Sequence, residues 1–356
     1  MMKSLSSSTE VQDETPPTGE AETSLAPSSP ATSAELAVED GVEYATNSKR
    51  SAPTRPVRLR LPIILFLLTC VSTFFAGTTR WMPQETIARC FVDTMTGRPI
   101  EGMDLTPVRR AVLAHWDDGL IYMLCMLGIL FTHEMGHFAF AVYYRIRASL
   151  PFFIPMPIAP IGTMGAVIAL EAHRANRREI FDLGLAGPIA GLIVALPILW
   201  YGSQNLDLQQ PPSGGVNLDL PLAARWMITA TTEATEQVTS VSIGQVNPFF
   251  MAGWAGLFFT GLNMMPVSQL DGGHVTYGLF GRYAHWIARI FMVLVFAYIS
   301  YTLQFQWMLM AILVLMLGTD HPPSSDDSVA MGWHRWLIGL LSLAIPILCF
   351  APRAWF

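Results

Sequence analysis

Charge is what this chain lacks most. Only 13% of its 356 residues are Asp, Glu, Lys or Arg, while 52% are hydrophobic; a soluble domain carries about 25% charged residues. That shortage excludes a water-facing surface over most of the chain and points to a protein embedded in lipid. Cysteine is also scarce. Cys70, Cys90, Cys125 and Cys349 are scattered without metal-type spacing, which excludes a thiolate metal site; three of them fall in apolar runs and read as small core hydrophobes. No basic patch with interleaved aromatics is present, so nucleic acid is not an expected partner.

The charge that exists is unevenly placed. Residues 1–50 hold nine acidic residues against Lys3, Lys49 and Arg50, a balance of −6 that equals the net charge of the whole chain. The segment is rich in Ser, Thr, Pro and Ala and has few large apolar residues. It cannot bury enough surface to fold, so residues 1–57 are expected to form a disordered acidic tail. Its acidity is wrong for an organelle transit peptide, and an apolar run that starts only near Leu61 is wrong for a secretory signal.

From residue 58 onward the chain reads as one membrane-embedded domain. Apolar runs near 60–79, 118–142, 183–201, 247–267, 284–303, 305–318 and 333–351 approach the roughly 20 residues that a spanning helix needs. The expected fold is therefore an all-α polytopic membrane protein with about six or seven transmembrane helices. Lys49, Arg50, Arg55, Arg58 and Arg60 precede the first run, which puts the N-terminus in the cytoplasm of a bacterial-type inner membrane. Arg145 and Arg147, then Arg174, Arg177 and Arg178, mark the next cytoplasmic connection. Residues 80–117 and 203–245 are then external, and Thr231–Val238 reads as a short surface helix without chemistry.

Within the second run stands His133-Glu134-Met135-Gly136-His137. Residues four apart share a helix face, so both histidines can reach one metal ion, and Glu134 stands where a general base for a metal-bound water belongs. Ionisable groups at membrane depth are costly and are retained mainly for function. Two histidines are only two ligands, whereas a catalytic zinc usually has three.

Residues 148–171 break the helical pattern. Pro151, Pro155, Pro157 and Pro160 are too many for a spanning helix, and Ile161–Leu170 reads as an apolar strand with a glycine-rich start. Such backbone at membrane depth must be covered by protein or line a cavity. It reads either as a re-entrant plug or as an edge that receives an extended peptide.

Asp271 follows the fourth run in Asn263-Met-Met-Pro266-Val-Ser-Gln-Leu270-Asp271-Gly272. By itself it reads equally as a solvated loop carboxylate; beside an incomplete two-histidine site, it is a candidate third ligand. The two elements together resemble the site-2 protease family of intramembrane zinc metalloproteases, which pairs H-E-x-x-H with N-x-x-P-x-x-x-L-D-G. The stretches Ile161–Ala166, Arg178–Gly191 and Gly318–Pro323 are similar to its cyanobacterial and chloroplast branch. The resemblance covers roughly residues 118–323, the expected catalytic core. It implies His133, His137 and Asp271 as ligands of one zinc ion, Glu134 as the catalytic glutamate, and Asn263 as a group that holds substrate or oxyanion. It also implies a single-pass membrane protein as substrate, cut within or beside its membrane segment by water that the zinc activates and Glu134 deprotonates. His274 is a second-tier candidate near the metal. His115, His173, His285, His321 and His334 read as loop or interface residues, and Glu171 and Asp182 as solvated. A metal transporter would need further polar ligands along a path, and none is found. A silent membrane scaffold would not need Glu134.

Overall fold

In the computed structural model the described residues are 59–92, 102–171, 174–211, 215–231, 238–267, 269–318 and 324–355. The acidic tail, His173 and residues 319–323 lie outside them. Helix α1 spans Arg60–Thr78, followed by the short α2 (Pro83–Ala88) and α3 (Thr106–Ala114). The long α4 (Trp116–Tyr143) leads into an antiparallel hairpin, β1 (Phe152–Pro155) and β2 (Thr163–Val167). Helix α5 (Arg177–Gln204) follows. A second small hairpin, β3 (Asn217–Asp219) and β4 (Ser240–Ser242), brackets α6 (Leu222–Thr231). Then come α7 (Pro248–Asn263), α8 (Asp271–Phe280), α9 (Ala284–Thr302), α10 (Met308–Leu317), α11 (Trp333–Ser342) and α12 (Ile345–Cys349).

Among the described residues, four helical runs are long and apolar enough to cross a membrane: α1, α4, α5, and α8 with α9, Asp271–Thr302. The other three expected spans are shorter. Helix α7 stops at Asn263 because Pro266 cannot continue it and biases the residue before it away from helix. Helix α10 has only 10 residues, between a left-handed Leu303 and Gly318. The last run is broken at Leu343–Ala344 into α11 and α12. Helix α6 ends at Thr231, and the helix expected at 231–238 lies outside the described residues over 232–237.

Helix α1 shows which solvent the fold was built for. Its buried residues are Pro62, Thr69, Ser72, Thr73, Ala76, Gly77 and Thr78. Leu61, Ile63, Ile64, Leu67, Leu68 and Val71 face outward. Small residues inside and large apolar ones outside is the packing of helices in lipid, where close approach and hydrogen bonds hold helices together.

Helix α5 packs against α4, α7 and α8 and is the element on which the interior is built. Asn176 caps its start, accepting from the backbone N–H groups of Arg178 and Glu179 while Glu179 accepts from Asn176, the reciprocal arrangement that satisfies orphan donors. Arg177 then reaches across to the end of α8, donating to the carbonyls of Gly278 at 2.9 Å and Leu279 at 2.7 Å. Those carbonyls have no partner inside their own helix. On the other side, Leu199 of α5 shares one buried apolar cluster with Ile129 of α4 and with Phe250, Trp254 and Leu257 of α7.

The β1–β2 hairpin is held by neighbouring helices. Ser72 of α1 donates to the carbonyl of Gly162, and Tyr122 of α4 donates to that of Ile161 at 2.8 Å. Thr163 donates to the carbonyl of Ile154 at 2.9 Å. Side chains thus supply partners to turn carbonyls that lipid could not satisfy.

Candidate metal centre

Three elements converge on one cavity. Helix α4 carries His133, Glu134 and His137, whose relative exposures are 6%, 4% and 6%. From Tyr143 at the end of α4, His137 lies about 9 Å back along the axis and His133 about 15 Å, at 1.5 Å per residue. Asp271 opens α8, where a carboxylate suits the positive end of the helix dipole. Asn263 closes α7 and lines the same cavity, as do Glu134, His274 and Met164–Ile168 of the hairpin side.

His133 Nε2 lies 3.2 Å from Asp271 Oδ2, and His137 Nε2 lies 3.4 Å from Asp271 Oδ1. One donor atom from each of the three residues lies within 4.8 Å of the others, and no other such group occurs among the described residues. A tetrahedral zinc with bonds of about 2.0–2.1 Å separates its donors by roughly 3.3 Å, close to the two histidine–aspartate distances. A second observation agrees. His137 Nδ1 is 2.8 Å from the carbonyl oxygen of Leu183. A carbonyl only accepts, so Nδ1 carries the hydrogen and Nε2 turns its lone pair into the site, as metal-bound imidazoles require. Asn263 Nδ2 stands 3.4 Å from His133 Nε2.

The histidines fit because α5 offers them no side chain. A Cβ at Gly187 would lie 2.0 Å from His137 Nε2, and one at Gly191 would lie 3.1 Å from His133 Nδ1. Pro188, inside the same helix, removes a backbone donor at this turn. Asp271 has a comparable need behind it. A Cβ at Gly272 would meet the Met264 carbonyl oxygen at 2.1 Å, so only glycine lets the chain double back from Asn263 to Asp271.

His274 lines the cavity but is not one of the grouped donors. His115 lies at the start of α4 beside Asp118, and His285 and His334 stack beside Trp286 and Trp333. Glu171 lies beside Arg174 with a side chain 37% exposed. Asp182 corrects the expectation of a solvated carboxylate: its side chain is 12% exposed and forms a bidentate pair with Arg335 of α11, at 2.9 and 2.8 Å. Charge counting along the 171–182 connection could not see a partner 153 residues away. The Leu183 carbonyl was equally invisible, since any residue carries one. The glycine spacing Gly184, Gly187, Gly191 was the available signal, one helix face kept bare.

Residues 121–305 match the family model described as peptidase family M50. Among curated proteins the chain is 31% identical over 317 residues to the probable zinc metalloprotease EGY1, chloroplastic, of Arabidopsis thaliana, covering 84% of this chain and 54% of that protein. It is 27% identical over 311 residues to the protein of the same name from Oryza sativa subsp. japonica, covering 84% and 51%. It is 31% identical over 173 residues to the probable zinc metalloprotease EGY2, chloroplastic, of Arabidopsis thaliana, covering 46% and 29%. The chain thus spans about half the length of the EGY1 proteins. The family match contains all of the cavity residues named above and ends before α11.

Proposed function

The chain belongs to peptidase family M50, the site-2 protease family, and on that premise we propose that it is an intramembrane zinc metalloprotease. It hydrolyses a peptide bond within or next to the membrane segment of a membrane protein. The observation that carries this reading is the close grouping of His133, His137 and Asp271, with the two histidines buried beside Glu134 in a helix long enough to span the bilayer. Zinc, when bound, supplies Lewis-acid polarisation and acidifies water. Glu134 takes the proton of the attacking water and returns it to the leaving amine. Asn263 donates from Nδ2 to the oxygen on which charge develops. His133, His137 and Asp271 hold the metal, and the Leu183 carbonyl keeps His137 in the required tautomer.

The substrate segment must unwind locally, because a helix hides its carbonyls in i→i−4 bonds. Strand β2 supports that step. Ala169 both receives from and donates to Ser149, through Ser149 N–H and Oγ at 2.9 Å each. Met164–Ile168 line the cavity beside the donor set. An extended peptide adds there as a further strand.

The protein is multi-pass in this reading. The relatives' names say chloroplastic, so a bacterial inner membrane finds no support in them. Basic residues assign the face holding Arg145, Arg147 and Arg174–Arg178 to the cytoplasm or its organellar equivalent, with the N-terminus on the same side.

Two variants of the purified chain test the reading. Glu134→Gln should abolish cleavage of a membrane substrate and keep zinc. Asp271→Ala should lose both, because two neutral histidines bind zinc weakly. Near-normal cleavage by Glu134→Gln, or stoichiometric zinc in Asp271→Ala, contradicts it.

A further inference from the structure

We infer that α11, which lies beyond the family-matched residues, sets the geometry of the metal centre through Arg335 and Asp182. The inference rests on the metalloprotease reading of that centre. Asp182 immediately precedes Leu183, whose carbonyl holds His137 Nδ1 at 2.8 Å. Arg335 grips the Asp182 carboxylate with Nε at 2.9 Å and Nη2 at 2.8 Å, the planar two-point match that a guanidinium makes and an ammonium cannot. The Tyr144 hydroxyl donates to the same carboxylate.

Tyr144 follows His137 by seven residues, two helical turns along one face. Asp182 therefore holds the end of α4 by Tyr144 while Leu183 holds it by His137. These two neighbouring points fix both the axial register of α4 on α5 and the rotation of α5 about its axis. Arg335 anchors the pair from a third helix. The residue on the other side of Asp182 is locked as well. Phe181 is 1% exposed, and a Cβ on Gly339 of α11 would lie 2.7 Å from its ring. Trp336 of α11 meets Phe280 of α8 edge-on at 5.9 Å, so the same helix also braces the element that begins with Asp271. Both halves of the donor set are thereby referred to α11. Arg335 and Asp182 do not line the cavity and are positioning residues.

A plain structural staple at this place would lower the melting temperature and leave the metal alone. The two roles separate by metal affinity in folded protein. The full-length chain is purified as wild type, Arg335→Lys, Asp182→Asn and Tyr144→Phe. Folding is followed by thermal melting, zinc affinity by competition with a chelator, and ligand geometry by the visible spectrum of the cobalt-substituted protein. Arg335→Lys and Asp182→Asn should remain folded and bind zinc about 10-fold more weakly, the lower end of what loss of a metal ligand's outer partner costs, because they act on the Leu183 carbonyl through the adjoining residue. Their cobalt spectra should shift. Tyr144→Phe should have a smaller effect, having lost one of three bonds to the carboxylate. The double variant Arg335→Lys with Asp182→Asn should be no worse than the worse single one, because both act through one pair. If Asp182→Asn does not fold, Arg335→Lys carries the test. Unchanged zinc affinity and cobalt spectrum in folded Arg335→Lys overturn the inference while the wild type still holds zinc. A wild type that holds no zinc overturns the metalloprotease reading beneath it.

Discussion

Gly187→Ala is the smallest change that should empty the metal centre. In most helices this substitution is favourable by about 1 kcal/mol, since alanine loses less backbone entropy. Here the added Cβ would stand 2.0 Å from His137 Nε2 and 2.5 Å from both adjoining ring carbons. Real Cβ atoms essentially never approach other heavy atoms within 3.0 Å. The imidazole or the helix must therefore give way by about 1 Å, whereas metal bonds tolerate errors of only about 0.2 Å. Helix α5 is packed on α4, α7 and α8, so the ring is the softer partner, and moving it also strains its bond to the Leu183 carbonyl. Overpacking of this kind costs about 1–3 kcal/mol. Expressed in the metal-bound state, that is roughly a 5- to 150-fold loss of zinc affinity. Gly128→Ala is the control, because a Cβ at that position of α4 meets nothing within 4 Å. Zinc per chain after dialysis against graded chelator, with thermal melts alongside, compares the two. Wild-type zinc retention in Gly187→Ala would refute the argument that a bare face on α5 makes room for the histidines.

Three further outcomes are expected. Proline at Ile168 or Ala166 removes a backbone donor from the cavity wall, so cleavage should fall while zinc content and melting stay near wild type; normal cleavage by both would make the hairpin a plug. Reporter fusions after Arg147 should read on the N-terminal side and fusions within 205–215 on the opposite side, and a swapped pattern would invert the assigned orientation. Arg177→Met strips the α8 end of two charge-assisted hydrogen bonds and should destabilise the protein by about 1–3 kcal/mol in detergent melts, with zinc affinity in the folded state changed less than in Gly187→Ala.

What could be read from the sequence was what is local. Two histidines four apart on an apolar run imply one face of one helix, and α4 has that form over Trp116–Tyr143. Prolines at 151, 155, 157 and 160 exclude a helix without pairing, and a hairpin stands there. Run length was a weaker guide. Helix α7 carries an apolar run but stops at 16 residues, because Pro266 and the Gly272 approach turn the chain back toward α4. Long-range pairs without a motif were not legible. Arg335 lies 153 residues from Asp182, and a charge count can place such residues on a membrane face but cannot find their partners. The Asp271 approach is also long-range, 138 residues from His133, and was suggested by a two-part motif whose halves carry no distance information of their own.

The hairpin and the metal centre impose opposite demands, and α4 meets both. Strand backbone at membrane depth must have its polar groups taken up, or it would not remain there. A wall that receives another strand must leave some of them available. The structure divides the two requirements by place. The turn is closed off by Ser72 and Tyr122, which take the carbonyls of Gly162 and Ile161, and Ala169 is closed off by Ser149. Between those anchors, Met164–Ile168 line the cavity. Tyr122 and His133 sit on one helix, eleven residues and about 16 Å apart along its axis. The helix that carries His133, Glu134 and His137 therefore also fixes the hairpin turn, and the gap between the strand and the donor set is set by rigid α4 geometry instead of by a mobile loop.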